Sequence, residues 1–396
     1  MSNAESGSPE GSFGSFGSFG SFGSFGSFGS FGSFGSFGSF GLPASPLAAE
    51  ALITNREGIV GPTIPFLDYD PRPSTDPVHG LPHFSPAVRA SIFLFEFASR
   101  LAVTVKDDGE TPVAEVLSTS LHGGPKHRMS AEPLVTVVAP TIDQLREQTK
   151  FLSAYADLRQ DRAREILVQT SALIPFYASI LYMDPGRTPH TLEFLQTALS
   201  CANMVYMRVK YGLALPRPLQ FSPQIQPAIP TPTHPTLPSG HATEAFLLAR
   251  LIWKLRRHAT HNPDSRQEAT WGEMLMRQAS RIAINRTVAG VHFPVDSVAG
   301  AILGLTLADF IWDLCDKTIQ RRATAEFDGR RFPVEDDFHW HALYEPKDDE
   351  QKPWAGKKSQ PWMTSGTKKL KSEEQGSAAF HWLRNRALSE WEKPLN

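Results

Sequence analysis

Three short segments hold residues whose types and spacing could carry chemistry: Lys210-Tyr-Gly-Leu-Ala-Leu-Pro-Arg217-Pro218, Pro238-Ser239-Gly240-His241, and Arg286-Thr-Val-Ala-Gly-Val-His292-Phe-Pro-Val-Asp296. Lys210, Arg217 and Arg286 are cations set in mostly apolar sequence. Burying three like charges together is prohibitive unless a multiply charged anion neutralises them. A guanidinium grips two oxygens at once and an ammonium acts as a point charge, so the mixture suits a tetrahedral or trigonal-bipyramidal oxyanion. Taken singly, each cation reads as a surface side chain with its stem laid over apolar neighbours. Only the combination argues for an anion.

Ser239 stands where a proline-rich connection enters a helix, the place of an N-cap. The free N–H groups and dipole of a helix start attract anions, and Gly240 lets the backbone come close. His241, on the first turn, would touch such an anion; a plain serine cap with an incidental histidine is the bland alternative. Asp296, four residues after His292, can accept the N–H of one ring nitrogen and leave the other free to attack or ligate. Asp296 also suits the cap of a helix beginning near Pro294, and the two roles are compatible.

Elements that would position these residues follow from apolar spacing and punctuation. Ser85-Pro86 opens a helix running through Ala90 to Val105, and Thr141 with Gln144 forms a capping box for a long helical stretch that breaks near Pro175. Further helices are expected over Pro189–Gly212, Gly240–His258, Ser265–Ala289 and Pro294–Ile319. Leu134 to Ala139 could be one strand, but a single strand makes no sheet. The expected fold class is therefore all-α, a helical bundle with its site between facing helices. Eight prolines between Pro216 and Pro238 make the connection before Ser239 stiff enough for an active-site rim.

The flanks read differently. From Gly11 to Phe40 the tripeptide Gly-Ser-Phe repeats, without the proline of a collagen-like triple helix, and residues 1–61 are expected to be a disordered tail with a Pro-rich linker. Residues 62–338 form the expected catalytic domain. Residues 339–396, rich in Lys, Glu, Asp, Ser and Gly, are expected to be a largely mobile tail with one short helix near Phe380–Trp391. A net charge of −2 gives no reason to expect nucleic acid. Cys201 and Cys315 are too sparse for a disulfide framework and read as buried thiols. No signal peptide is recognised, and Leu167–Met183 and Ser297–Leu314, interrupted by Gln169 and Asp309, fall short of clear membrane spans. The expectation is a soluble, cytoplasmic protein, with pairing into a homodimer as one way to cover its helices.

The three segments resemble the three-part signature of the PAP2 superfamily, which unites acid phosphatases and vanadium-dependent haloperoxidases: Lys, six residues, Arg-Pro; Pro-Ser-Gly-His; and Arg, five residues, His, three residues, Asp. One position departs, Asn285 standing where the family usually has Ser. The resemblance implies that Lys210, Arg217, Ser239, Gly240 and Arg286 hold the oxygens of phosphate or vanadate. It further implies that His292, oriented by Asp296, bonds to phosphorus or vanadium, and that His241 is the acid/base group. The stretch Thr233 to Thr243 is similar to vanadium bromoperoxidases in carrying a histidine, His234, seven residues before His241. That likeness implies a haloperoxidase with vanadate as cofactor, oxidising bromide or iodide with hydrogen peroxide, His234 tuning the site. The alternative is a soluble PAP2-type acid phosphatase acting on phosphate monoesters through a phosphohistidine. A non-catalytic scaffold assembled through the Gly-Ser-Phe tail is the reading from another class.

Overall fold

The computed structural model describes residues 46–63, 74–122, 128–260, 266–353 and 360–392. The Gly-Ser-Phe repeat lies outside the described residues. In chain order the elements are α1 (Pro46–Ile59), α2 (Pro86–Ala98), β1 (Leu101–Asp107), β2 (Pro112–His122), β3 (Arg128–Val138), α3 (Ile142–Tyr155), α4 (Arg159–Val168), α5 (Ile174–Leu181), α6 (Pro189–Leu213), α7 (Gly240–Ala259), α8 (Arg266–Val288), α9 (Pro294–Leu314), β4 (Thr318–Asp328), β5 (Met363–Gln375) and α10 (Ala378–Trp391).

The all-α expectation is overturned. Five strands form one sheet in the order β1-β2-β3-β4-β5, parallel between β3 and β4 and antiparallel elsewhere. Helix α2 stops at Ala98, and the residues expected to extend it, Leu101 to Val105, alternate as β1 instead. Asp108-Gly109 then turns the chain into β2: the Asp108 carboxylate accepts the N–H groups of Glu110 and Thr111, and Gly109 sits at φ 88°. A left-handed glycine after aspartate between two alternating runs is a hairpin signal.

The C-terminal third departs from expectation in part. Helix α9 ends at Leu314, and the chain leaves it as β4. In the segment expected to be largely mobile, the expected short helix near Phe380–Trp391 is present as α10, whose Phe380, Leu383 and Ala387 are buried, and edge strand β5 precedes it. An edge strand tolerates and benefits from charge, so Lys368, Lys369 and Glu373 gave β5 the composition of a tail.

Four long helices, α6 to α9, make the centre, with the sheet against α6 and α9. All of α9 up to Ile311 is buried. Each of its large apolar side chains, such as Val298, Ile302, Leu305 and Phe310, contributes roughly 1.5–3 kcal/mol relative to exposure. Gly300 and Gly304 bring α9 against the start of α7: a Cβ at Gly300 would lie 2.5 Å from the Ser239 carbonyl, and one at Gly304 would lie 2.2 Å from that of Thr243. The Thr141–Gln144 capping box is present, with Thr141 N–H donating to Gln144 Oε1 at 2.8 Å. The helix it opens is jointed at 156–158, and Pro175 lies in the first turn of α5 rather than breaking a longer helix. Both cysteines are free and buried.

Candidate active site

The three segments converge at one end of the four central helices. Lys210 lies in the last turn of α6, Ser239 caps α7, Arg286 lies in the last turn of α8, and Asp296 in the first turn of α9. Ser239 accepts the Ala242 N–H at 3.3 Å and gives its own N–H to the Asp296 carbonyl at 2.9 Å, tying the second segment to the third. Gly240 packs on Tyr206 of α6, where a Cβ would meet the ring at 3.0 Å.

His292 is held at both ring nitrogens. Its Nδ1 lies 2.9 Å from Asp296 Oδ2, and its Nε2 lies 3.1 Å from Arg217 Nη1. An arginine has no lone pair to offer, so Nε2 accepts and the ring proton is on Nδ1, donated to Asp296. Burial first, then Arg217 and Lys210, hold the His292 pKa well below the ordinary histidine range and keep the ring neutral. Asp296 Oδ2 also accepts the Phe293 N–H, so orienting His292 and capping α9 are one arrangement. Burial pushes the Asp296 carboxyl up, while the bonds from Thr236 and Phe293 pull it back. Thr236, donating to Asp296 Oδ2 at 2.5 Å, is a contributor that sequence reasoning missed, because nothing marks it within the proline-rich run.

Arg217 is bonded throughout. Nε donates to the His234 carbonyl at 2.9 Å, Nη1 to the Val291 carbonyl at 2.8 Å, and Nη2 to His234 Nδ1 at 3.0 Å. His234 thus meets the cage through Arg217, and burial, Lys210 and Arg217 push its pKa down to about 3. Lys210, fully buried, donates to the carbonyls of Pro235 and Thr236 at 3.0 and 2.7 Å. Burial first, then Arg217, lowers its pKa well below the usual lysine range.

His241 and Arg286 form the other side. His241 Nε2 lies 2.9 Å from the Gln169 carbonyl, so Nε2 carries the proton and Nδ1 is the nitrogen left for exchange. Burial and then Arg286 depress its pKa well below normal. Arg286 Nη2 donates to the Ile166 carbonyl at 3.2 Å and Gln169 Oε1 at 2.9 Å, while its Nε and Nη1 are buried without a partner among the described residues. Burial lowers the Arg286 pKa to about 10. Gln169 is another contributor that the sequence did not mark.

Two clefts, about 640 Å³ beside α10 and about 280 Å³ between α2, α5 and α6, contain none of these residues. The chemistry-bearing cluster is compact because its own side chains fill it. Fold and site together define a class: a helical cage of buried cations over an oriented imidazole, suited to a small oxyanion.

Residues 193–319 match the family model of the PAP2 superfamily. That match spans all three segments and less than half of the chain, and members of the superfamily are enzymes, phosphatases among them. Among solved structures it is similar to a crystal structure titled as the first transmembrane PAP2 type phosphatidylglycerolphosphate phosphatase from Bacillus subtilis. Identity is 17%, coverage is 43% of this chain and 85% of that one, and the TM-score is 0.35. No curated protein matches the sequence. The likeness to bromoperoxidases gains no support from these comparisons. The expectation of a soluble, cytoplasmic protein is not upheld: despite Asp309, Pro294–Leu314 is long and apolar enough to cross a membrane. That helix is also wholly buried within the protein, and length and composition alone do not separate a core helix from a span.

Proposed function

We propose that the chain is a PAP2-type phosphatase that hydrolyses phosphate monoesters through a phosphohistidine at His292. The observation that carries this reading is the tautomer of His292, with Nδ1–H on Asp296 and the Nε2 lone pair facing the cation cage. Nε2 attacks phosphorus as the bond to the leaving oxygen breaks. His241 Nδ1 gives a proton to that oxygen. Water then attacks the phosphoryl group, His241 takes its proton back, and the P–N bond breaks to release phosphate. Asp296 stabilises the ring while Nε2 is substituted. Lys210, Arg217, Ser239, Gly240 and Arg286 hold the equatorial oxygens as charge shifts among them. Substrate must draw the Arg217 guanidinium away from Nε2, and the dianion it brings raises the His241 pKa toward the range where a proton can be given.

The test is phosphate release from an aryl monoester. His292→Ala should lower kcat at least a thousandfold and His241→Ala about a hundredfold or more, with inorganic phosphate still binding the His241 variant. Full activity in the His292 variant would end this reading.

A second reading is favoured by one observation, the contact of His234 Nδ1 with Arg217. The same cage would fit vanadate on His292, which when bound would supply activation of hydrogen peroxide for halide oxidation. Chain incubated with orthovanadate should then brominate a phenol dye in the presence of bromide and peroxide, and the His234→Ala variant should lose that activity while keeping phosphate binding.

A further inference from the structure

Gln169 lies outside all three segments, at the C-cap of α4, and is 1% exposed. Its Oε1 accepts from Arg286 Nη2 at 2.9 Å and from Asn285 Nδ2 at 3.0 Å, and its main-chain carbonyl accepts from His241 Nε2 at 2.9 Å. Two donors on Oε1 fix the amide's orientation, because turned over it would set N–H against N–H. Its Nε2 is buried and, among the described residues, has no partner, and the same holds for Nε and Nη1 of Arg286 beside it. Three donor nitrogens on two touching side chains thus lack an acceptor, against the general rule that buried N–H groups are bonded. Asn285 supports the arrangement: its Nδ2 also reaches Glu165 at 3.1 Å, and its Oδ1 takes Arg162 at 3.0 Å.

We propose that Gln169 is a further oxyanion-binding residue, its Nε2 donating to an oxygen of the bound phosphoryl group together with Arg286. The inference rests on the phosphatase reading and extends it. One residue of α4 then does two things: its side chain grips the phosphoryl oxygen, and its carbonyl sets the ring of the acid/base histidine.

Calorimetric titration of the full chain with inorganic phosphate and with orthovanadate, alongside aryl phosphate hydrolysis, tests it in wild type, Gln169→Leu and Gln169→Glu. Glutamate keeps an acceptor for Arg286 and Asn285 and the same main chain for His241, but has no N–H to offer. Both variants should bind oxyanion about tenfold more weakly or worse, the glutamate variant more so because its charge faces the anion, with kcat reduced in both. The thermal midpoint of Gln169→Glu should be no lower than that of wild type. Wild-type binding and turnover in Gln169→Glu overturns the proposal, even if Gln169→Leu is impaired, since the residue would then only position its neighbours. A wild type that hydrolyses monoesters alongside unchanged variants sinks this inference alone. A wild type that neither binds oxyanion nor hydrolyses monoesters removes the phosphatase reading with it.

Discussion

Two clusters of buried cations in this protein have opposite electrostatic characters. In the first, between α7 and α9, Arg250 Nε pairs with Asp309 at 2.8 Å and Nη1 with Asp349 at 2.9 Å, while Lys254 lies 3.2 Å from Asp309. Burial alone would lower the Arg250 pKa, but Asp309, Tyr344 and Asp349 raise it well above normal. In the second, Lys210, Arg217 and Arg286 gather with Asp296 close by and Glu244 acting on Lys210, and among the described residues Arg286 has no carboxylate partner. Burial lowers the pKa of Arg217 and of Arg286 to about 10. Carboxylates complete the first cluster from within; on the proposed function the second is completed by an anion from outside. That difference separates a structural ion network from a binding site more sharply than motif or cleft size does.

The contrast can be broken most severely at Arg250. Arg250→Met leaves Asp309 and Asp349 facing each other with Lys254 as their remaining cation, and should cost about 3–5 kcal/mol in a denaturant titration. Arg286→Met should cost little or even stabilise, since it removes a buried cation that has no counter-charge, yet lower kcat/KM by a hundredfold or more in the phosphatase assay. Equal destabilisation by the two substitutions would erase the distinction.

A smaller effect comes from ligand. Inorganic phosphate at a hundred times its dissociation constant should stabilise the wild type by about 2.7 kcal/mol, read as a rise in thermal midpoint. The Arg250 network should contribute nothing to that rise, and the Arg286→Met variant should lose most of it.

The smallest effect sharpens the description of the first cluster. Asp313, beside Asp309, has its pKa raised to about 7 by burial and by Asp309, against Lys254 and Arg322. Below about pH 4 this carboxyl is protonated in both folded and unfolded chains, and its contribution to stability is fully present. As pH rises through 7 the folded protein must ionise it and that contribution is lost. Asp313→Asn should therefore be stabilising by about 1–3 kcal/mol at pH 8, the partly exposed carboxyl being screened by water, and close to neutral at pH 4. The same gain at both pH values would show that Asp313 does not titrate in this range.

The convergence of the three segments was legible because side-chain type and fixed spacing mark them, and Lys210, Ser239, His241, Arg286, His292 and Asp296 come together as their helix ends require. Thr236 and Gln169 were not legible, since a hydroxyl in a proline run and an amide at a helix end look like countless surface residues until the fold turns them inward. The sheet was missed for another reason. Leu101 to Val105 continues an apolar rhythm begun in α2, and β5 carries the charge of a solvated tail, so each strand was masked by its neighbours or its composition.

The two glycines of α9 make the reacting geometry depend on atoms that are not there. With Gly300 and Gly304 bare, the backbone carrying Asp296 rests directly on the backbone carrying Ser239. A single methyl at either position would act as a shim between two plates, prising the imidazole pair apart without touching any charged group. Activity in this protein is thus vulnerable to inheritance of the mildest possible change, glycine to alanine, at sites that no inventory of reactive side chains would flag.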